Sequence, residues 1–334
     1  MNIGPVTNRP PEINVTDAVT LAYERVKQML FKPFDLNKWF VIGFCAWLAA
    51  LGEAGGAGSG YNGGFNNHGD SNSGQPTEQL RHFYHHAREY VMDNFYWIVP
   101  LAVFLVVLGL ALWVTLLWLS SRGKFMFLHC VALDKAEVQL PWARYAGVAN
   151  SLFWFRLVLA LVAMILLLPL LLFSAVIILK MVMQGEANVA GILLSAGLVT
   201  VLLVLALGFS ILTKFMGDFV VPIMYLRGIR CVDAWREFVA LLKANAGHFV
   251  LYLLFQIVLA IAIGVIVLLL ILATCCIAGC VMALPYVGTV LLLPVLVFKR
   301  SYALYYLSQF GAAYNVFPKS EPPPSATASF PLGG

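Results

Sequence analysis

The residues of this chain that could do chemistry are few and widely spaced. Lys214 and Asp218 stand four apart, so a helix puts them on one face as an intramembrane charge pair. A charge at membrane depth is costly and often tied to function. The plainer reading is that Lys214 reaches toward the aqueous side and Asp218 neutralises it. Lys124, Lys299 and Arg300 end two other apolar runs in the same manner. Together Lys124, Lys214, Lys299 and Arg300 would form a ring that holds anionic lipid headgroups, or they register only the cationic bias of a cytoplasmic boundary.

Glu78, His82, His85 and Glu89 share a helix face, with His86 beside them, and offer nitrogen and oxygen donors to zinc or copper. A solvated face opposite Leu80, Phe83 and Ala87 accounts for the same pattern, and no second cluster closes a tetrahedral site, so no metal and no other cofactor is expected. Cys275, Cys276 and Cys280 either bridge as one pair in an oxidising compartment or serve as small residues for close helix packing. Paired carboxylates, a His motif within the bilayer and a nucleophile with its base are all missing, so catalysis is not expected.

The elements that hold these residues follow from composition. Hydrophobic residues make up 61% of the chain and charged residues 11%, where soluble domains carry about a quarter charged. The expected solvent is a bilayer. A net charge of +5, scattered between apolar runs instead of forming a stripe, argues against a nucleic-acid partner.

A helix rises about 1.5 Å per residue and hydrocarbon is about 30 Å thick, so a span needs roughly 20 apolar residues. Six spans are expected, over about 36–52, 96–120, 153–180, 189–213 extended to about 226, 248–273, and 285–299 extended to about 312. The first is short, and Pro169 and Pro294 should kink theirs. Eighteen of the 21 Lys and Arg fall on one side of this arrangement and three, Arg81, Arg88 and Lys180, on the other. Both termini are therefore expected in the cytoplasm. Residues 1–13 are expected to be a flexible N-terminus and 14–317 a membrane domain. The Gly- and Asn-rich stretch 52–76 reads as an extracytoplasmic tether and 318–334 as a disordered cytoplasmic tail.

The fold class expected is an all-α integral membrane protein of three hairpins, each preceded by a cytoplasmic interfacial amphipathic helix. In 14–31, Val15, Ala18, Val19, Ala22, Val26, Met29 and Leu30 form one face. Trp235, Phe238, Val239 and Leu242 do so in 232–246, and Trp142, Tyr145, Ala146 and Ala149 make a shorter version. Lys124-Phe125-Met126 recurs as Lys214-Phe215-Met216, as repeats would require.

Phe31-Lys32-Pro33-Phe34 leading to Lys38-Trp39-Phe40, and Asp218-Phe219-Val220-Val221-Pro222-Ile223-Met224-Tyr225 followed by Asp233-Ala234-Trp235, resemble a group of uncharacterised bacterial six-span proteins. They are also similar to the membrane domain attached to some glycerophosphodiester phosphodiesterases, although no phosphodiesterase catalytic domain is present. The resemblance implies an architecture and a bacterial cytoplasmic (inner) membrane, and assigns no activity. The leading function class is a scaffold or accessory subunit that binds lipids or a membrane-protein complex. The alternative is a transporter or channel for a lipid or weakly polar solute, for which the polar candidates near mid-span are few, chiefly Thr115, Ser195, Thr200 and Gln256.

Overall fold

The computed structural model describes residues 14–32, 34–51, 94–184, 189–274, 279, 281–282 and 284–317. The N-terminus 1–13, the 52–76 stretch, the Glu78, His82, His85 and Glu89 face, Cys275, Cys276 and Cys280, and the tail 318–334 lie outside these residues.

Among the described residues every regular element is helical, the form in which an apolar chain satisfies its own backbone where water cannot. Four helices are long and apolar enough to cross a membrane. They are α3 (Phe95–Leu133), α5 (Ala146–Gln184), α6 (Val189–Phe215) with its continuation α7 (Val221–Arg227), and α9 (Ala246–Ala273). These are the helices of a membrane protein. At about 1.5 Å per residue even α9 extends about 42 Å, more than the hydrocarbon thickness.

Each of these helices divides into two unlike parts. Residues 99–113 of α3 are exposed throughout, whereas from Leu117 to Ala132 nearly every side chain is buried or half-buried. In α6 no side chain is buried before Phe215. In α9 burial is confined to Phe249, Tyr252, Gln256 and, far along, Val267. The core therefore sits at one end of the molecule, and the apolar halves project from it.

The remaining elements complete that end: α1 (Val15–Phe31), α2 (Leu36–Ala50), α4 (Gln139–Arg144), α8 (Cys231–Ala244), α10 (Pro285–Leu291) and α11 (Leu293–Ser308). In α1 the buried residues are Ala18, Ala22, Val26, Met29 and Leu30, and in α8 they are Cys231, Ala234 and Phe238. Both helices are amphipathic because their outer faces carry the charges. Helix α1 lies on α11, α4 on α3, and α8 on α7 and the turn before it. An aromatic cluster fills the centre, where Phe219 stacks on Phe238 at 5.4 Å and meets Phe249 edge-on at 5.1 Å.

Helix α2 runs antiparallel to the buried half of α3. Lys38 pairs with Asp134 at 2.9 Å, Cys130 Sγ lies 3.9 Å from Cys45 Sγ, and Ser120 Oγ donates to the Ala49 carbonyl at 2.8 Å. Gly123 makes this approach possible, because a Cβ there would sit 2.5 Å from the Ala49 nitrogen. With 15 residues, α2 is about 22 Å long, less than the hydrocarbon thickness.

The last apolar segment corrects the expected single helix over 285–299. It breaks at Leu292 into α10 and α11. Pro294 opens α11 instead of kinking a span, since the first turn of a helix has no use for the N–H that proline lacks. Pro169, like Pro100, lies within an unbroken helix.

Candidate functional site

The end of α6 is the point around which the charged residues gather. Between Phe215 and Val221 the chain widens into a π-helical turn, Met216–Val220. Its cause is Pro222, which has no N–H to give the carbonyl four residues back and whose ring crowds that carbonyl. The Val221 N–H accordingly bonds to the Met216 carbonyl, one residue farther back than in an α-helix. This leaves the Gly217 carbonyl without that donor, and Arg300 Nη1 takes it at 2.6 Å. Such π turns recur at functional sites.

The same turn places Asp218. Its carboxylate pairs with Lys214 at 2.8 Å across one helical step and accepts a hydrogen bond from the Tyr252 hydroxyl, also at 2.8 Å. Gln256 Nε2 donates in turn to the Tyr252 oxygen at 3.0 Å. Gln256 thus supports Asp218 through Tyr252, which accounts for an amide in the apolar stretch of α9.

Lys124, Gly217, Asp218, Lys299 and Arg300 meet at a pocket of about 190 Å³. Its other walls are apolar: Ala46, Ala49 and Ala50 from α2, Phe127 from α3 and Leu296 from α11. Lys124 is brought to the π turn by α3, and its Nζ lies 3.9 Å from the position a Cβ on Gly217 would occupy. Three of the four sequence-predicted headgroup residues therefore line one cavity. Lys214, the fourth, stands outside the lining and is joined to it through Asp218.

The cations outnumber the carboxylate in this lining, so the pocket attracts anions. Lysine supplies point charges and arginine a planar donor fork, the usual chemistry for holding phosphate oxygens. Arg156 has a different task nearby: it is buried, and its Nη1 donates to Ser120 and Ser121 at 3.1 and 3.3 Å, tying α5 to α3.

Sequence reasoning missed the Gly217 carbonyl, Tyr252 and the alanine wall of α2. The signal available for the first was Gly217 and Pro222 inside one long apolar run; for the alanines there was none. Among the described residues no group of three or more His, Cys, Asp or Glu side chains is clustered for a metal ion.

A family model described as a family of unknown function (DUF7544) matches residues 13–293. The chain belongs to that family. The matched region includes Lys124, Lys214, Asp218 and Pro222 and ends before Lys299 and Arg300. No curated protein and no solved structure matches the chain.

Proposed function

We propose that this member of the family is a non-catalytic integral membrane protein, a scaffold or accessory subunit that holds anionic lipid headgroups at the pocket beneath its π turn. The observation that carries this reading is the convergence of Lys124, Lys299 and Arg300, from two helices far apart in sequence, on one cavity beside Asp218. The cavity lies where the exposed apolar halves meet the packed end, the level at which a headgroup would rest with its acyl chains along the helices.

The topology that goes with this reading has six apolar segments in three hairpins. Helix α2 and the α10–α11 pair form the short first and last segments, and Trp47 and Phe40 of α2 meet Tyr286 of α10. The Lys and Arg distribution supports cytoplasmic termini. The resemblance in the Asp218 to Tyr225 stretch supports a bacterial inner membrane. Cysteines introduced at 52–76 and beyond 318 should label from opposite faces of the membrane; labelling from one face would refute the topology.

The functional test is purification of the protein from its native membrane, with co-purified lipids and proteins measured together. Wild type should retain anionic lipid that a Lys124→Gln, Lys299→Gln double variant loses. Equal retention by a double variant that melts like wild type would refute the headgroup site. A stoichiometric protein partner would identify the complex that the chain serves.

A further inference from the structure

One group in the pocket is not explained by phosphate alone. Lys124, Lys299 and Arg300 suit phosphate oxygens, yet Asp218 lines the same cavity. A carboxylate accepts hydrogen bonds and donates none, so an anion filling the whole space would press like charge against it. Asp218 is held there by Tyr252 and Lys214, both on its Oδ2. The part of a ligand that faces it must therefore be a donor.

Two kinds of donor are common on lipid headgroups, ammonium and hydroxyl. An ammonium would meet Lys214, already 2.8 Å from the same carboxylate, with Lys299 and Arg300 lining the same cavity. A hydroxyl brings no charge and meets no such repulsion. The surplus of cations further requires that the ligand as a whole be anionic, which a zwitterion is not.

Resting on the headgroup reading above, we propose that the pocket selects a phosphodiester headgroup bearing free hydroxyls, a glycerol- or inositol-type polyol. Its phosphate sits among Lys124, Lys299 and Arg300, and a hydroxyl donates to Asp218. The volume of about 190 Å³ is below the roughly 300–1,000 Å³ that encloses a whole drug-sized ligand. It takes a headgroup and leaves the acyl chains outside.

The test titrates the purified full-length protein with short-chain phosphatidylglycerol, phosphatidic acid and phosphatidylethanolamine, and with water-soluble glycerophosphoglycerol. Phosphatidylglycerol should bind about tenfold tighter than the other two lipids, the effect of one hydrogen bond to a charged acceptor. Asp218→Asn should pull the phosphatidylglycerol to phosphatidic acid ratio toward one by weakening the first and strengthening the second. The wild-type ratio decides the matter even where the variant folds poorly. Equal affinity for phosphatidylglycerol and phosphatidic acid, both above phosphatidylethanolamine, would overturn the polyol proposal and leave the headgroup reading standing, while equal affinity for all three lipids, or binding of none, would overturn both. Glycerophosphoglycerol separates the sources: weak competition supports a lipid ligand, and affinity equal to that of the lipid overturns the headgroup reading by assigning the same chemistry to a soluble phosphodiester.

Discussion

The two halves of α3 are made of similar residues and behave oppositely. Phe104, at 61% exposure, faces outward from a stretch with no buried neighbour, while Phe125, twenty-one residues along the same helix, is fully buried. Hydrophobicity does not distinguish them. What does is whether other helices arrive: α2 and α4 lie along the second half, and the first half is left to lipid. In water that first half would be untenable; in hydrocarbon it costs little, because lipid tails are as apolar as the side chains they touch. Tight packing, small residues and polar chemistry are consequently concentrated at one end.

This contrast can be broken by paired substitutions. The largest effect is expected at Phe219, which is fully buried among Phe238, Phe249 and Tyr252. Phe219→Ala should destabilise the protein by about 3–5 kcal/mol, whereas Phe104→Ala should stay within about 0.5 kcal/mol, both read from thermal unfolding in one detergent. A similar loss at both positions would mean that the projecting half is packed after all.

Glycines give a sharper pair. Gly123→Ala would thrust a Cβ to 2.5 Å from backbone atoms of Leu48 and Ala49, which cannot rotate away, while nothing lies within 4 Å of a Cβ at Gly109. The first should cost about 1–3 kcal/mol through overpacking. The second should stabilise by about 0.5–1 kcal/mol through helix propensity. Effects of equal sign in the same unfolding assay would refute the close approach of α2 and α3.

Arg25 tests how the packed end is fastened. Its guanidinium donates to the Val131 carbonyl and, at 2.9 Å, to that of Ala132, in the last turn of α3, where carbonyls lack helical partners and the helix end is negative. Arg25→Ala should cost about 1 kcal/mol and raise amide exchange in 128–133 without affecting 99–113. Exchange that rises evenly along α3 would contradict the division of the helix.

The smallest effect concerns reactivity instead of stability. Burial pushes the Cys231 thiol up to about 12, so at pH 8 it remains protonated in the folded protein and should ignore a thiolate-directed reagent. Labelling should begin only on denaturation. Between the ordinary thiol value and about 12 the unfolded chain ionises first, so this residue's contribution to stability falls as pH rises through that window. Rapid labelling of Cys231 in folded protein at pH 8 would show that α8 does not turn this residue into the core.

Much of this was open to a reader of the sequence. An apolar chain interrupted by cationic residues must form long helices in a bilayer, and the alternation in 14–31 names the face of α1 that becomes buried. The spacing of Lys214 and Asp218 already permits their pairing, because four residues are about one helical turn. The failures are equally instructive. A break at Leu292 and a π turn at Met216–Val220 arise from prolines whose local effect depends on which carbonyl is available to be displaced, and periodicity carries no such information.

The sequence by itself determined the solvent, the helical form and the residues at which apolar runs end, because these depend on side-chain transfer energies and on spacing along one helix. Only the tertiary structure decided that Lys124, Gly217, Asp218, Lys299 and Arg300 share a cavity walled by alanines of α2. Charges so far apart in the chain meet through the crossing of separate helices, and that crossing is set by the steric fit of small residues such as Gly123, which no pattern of hydrophobicity encodes.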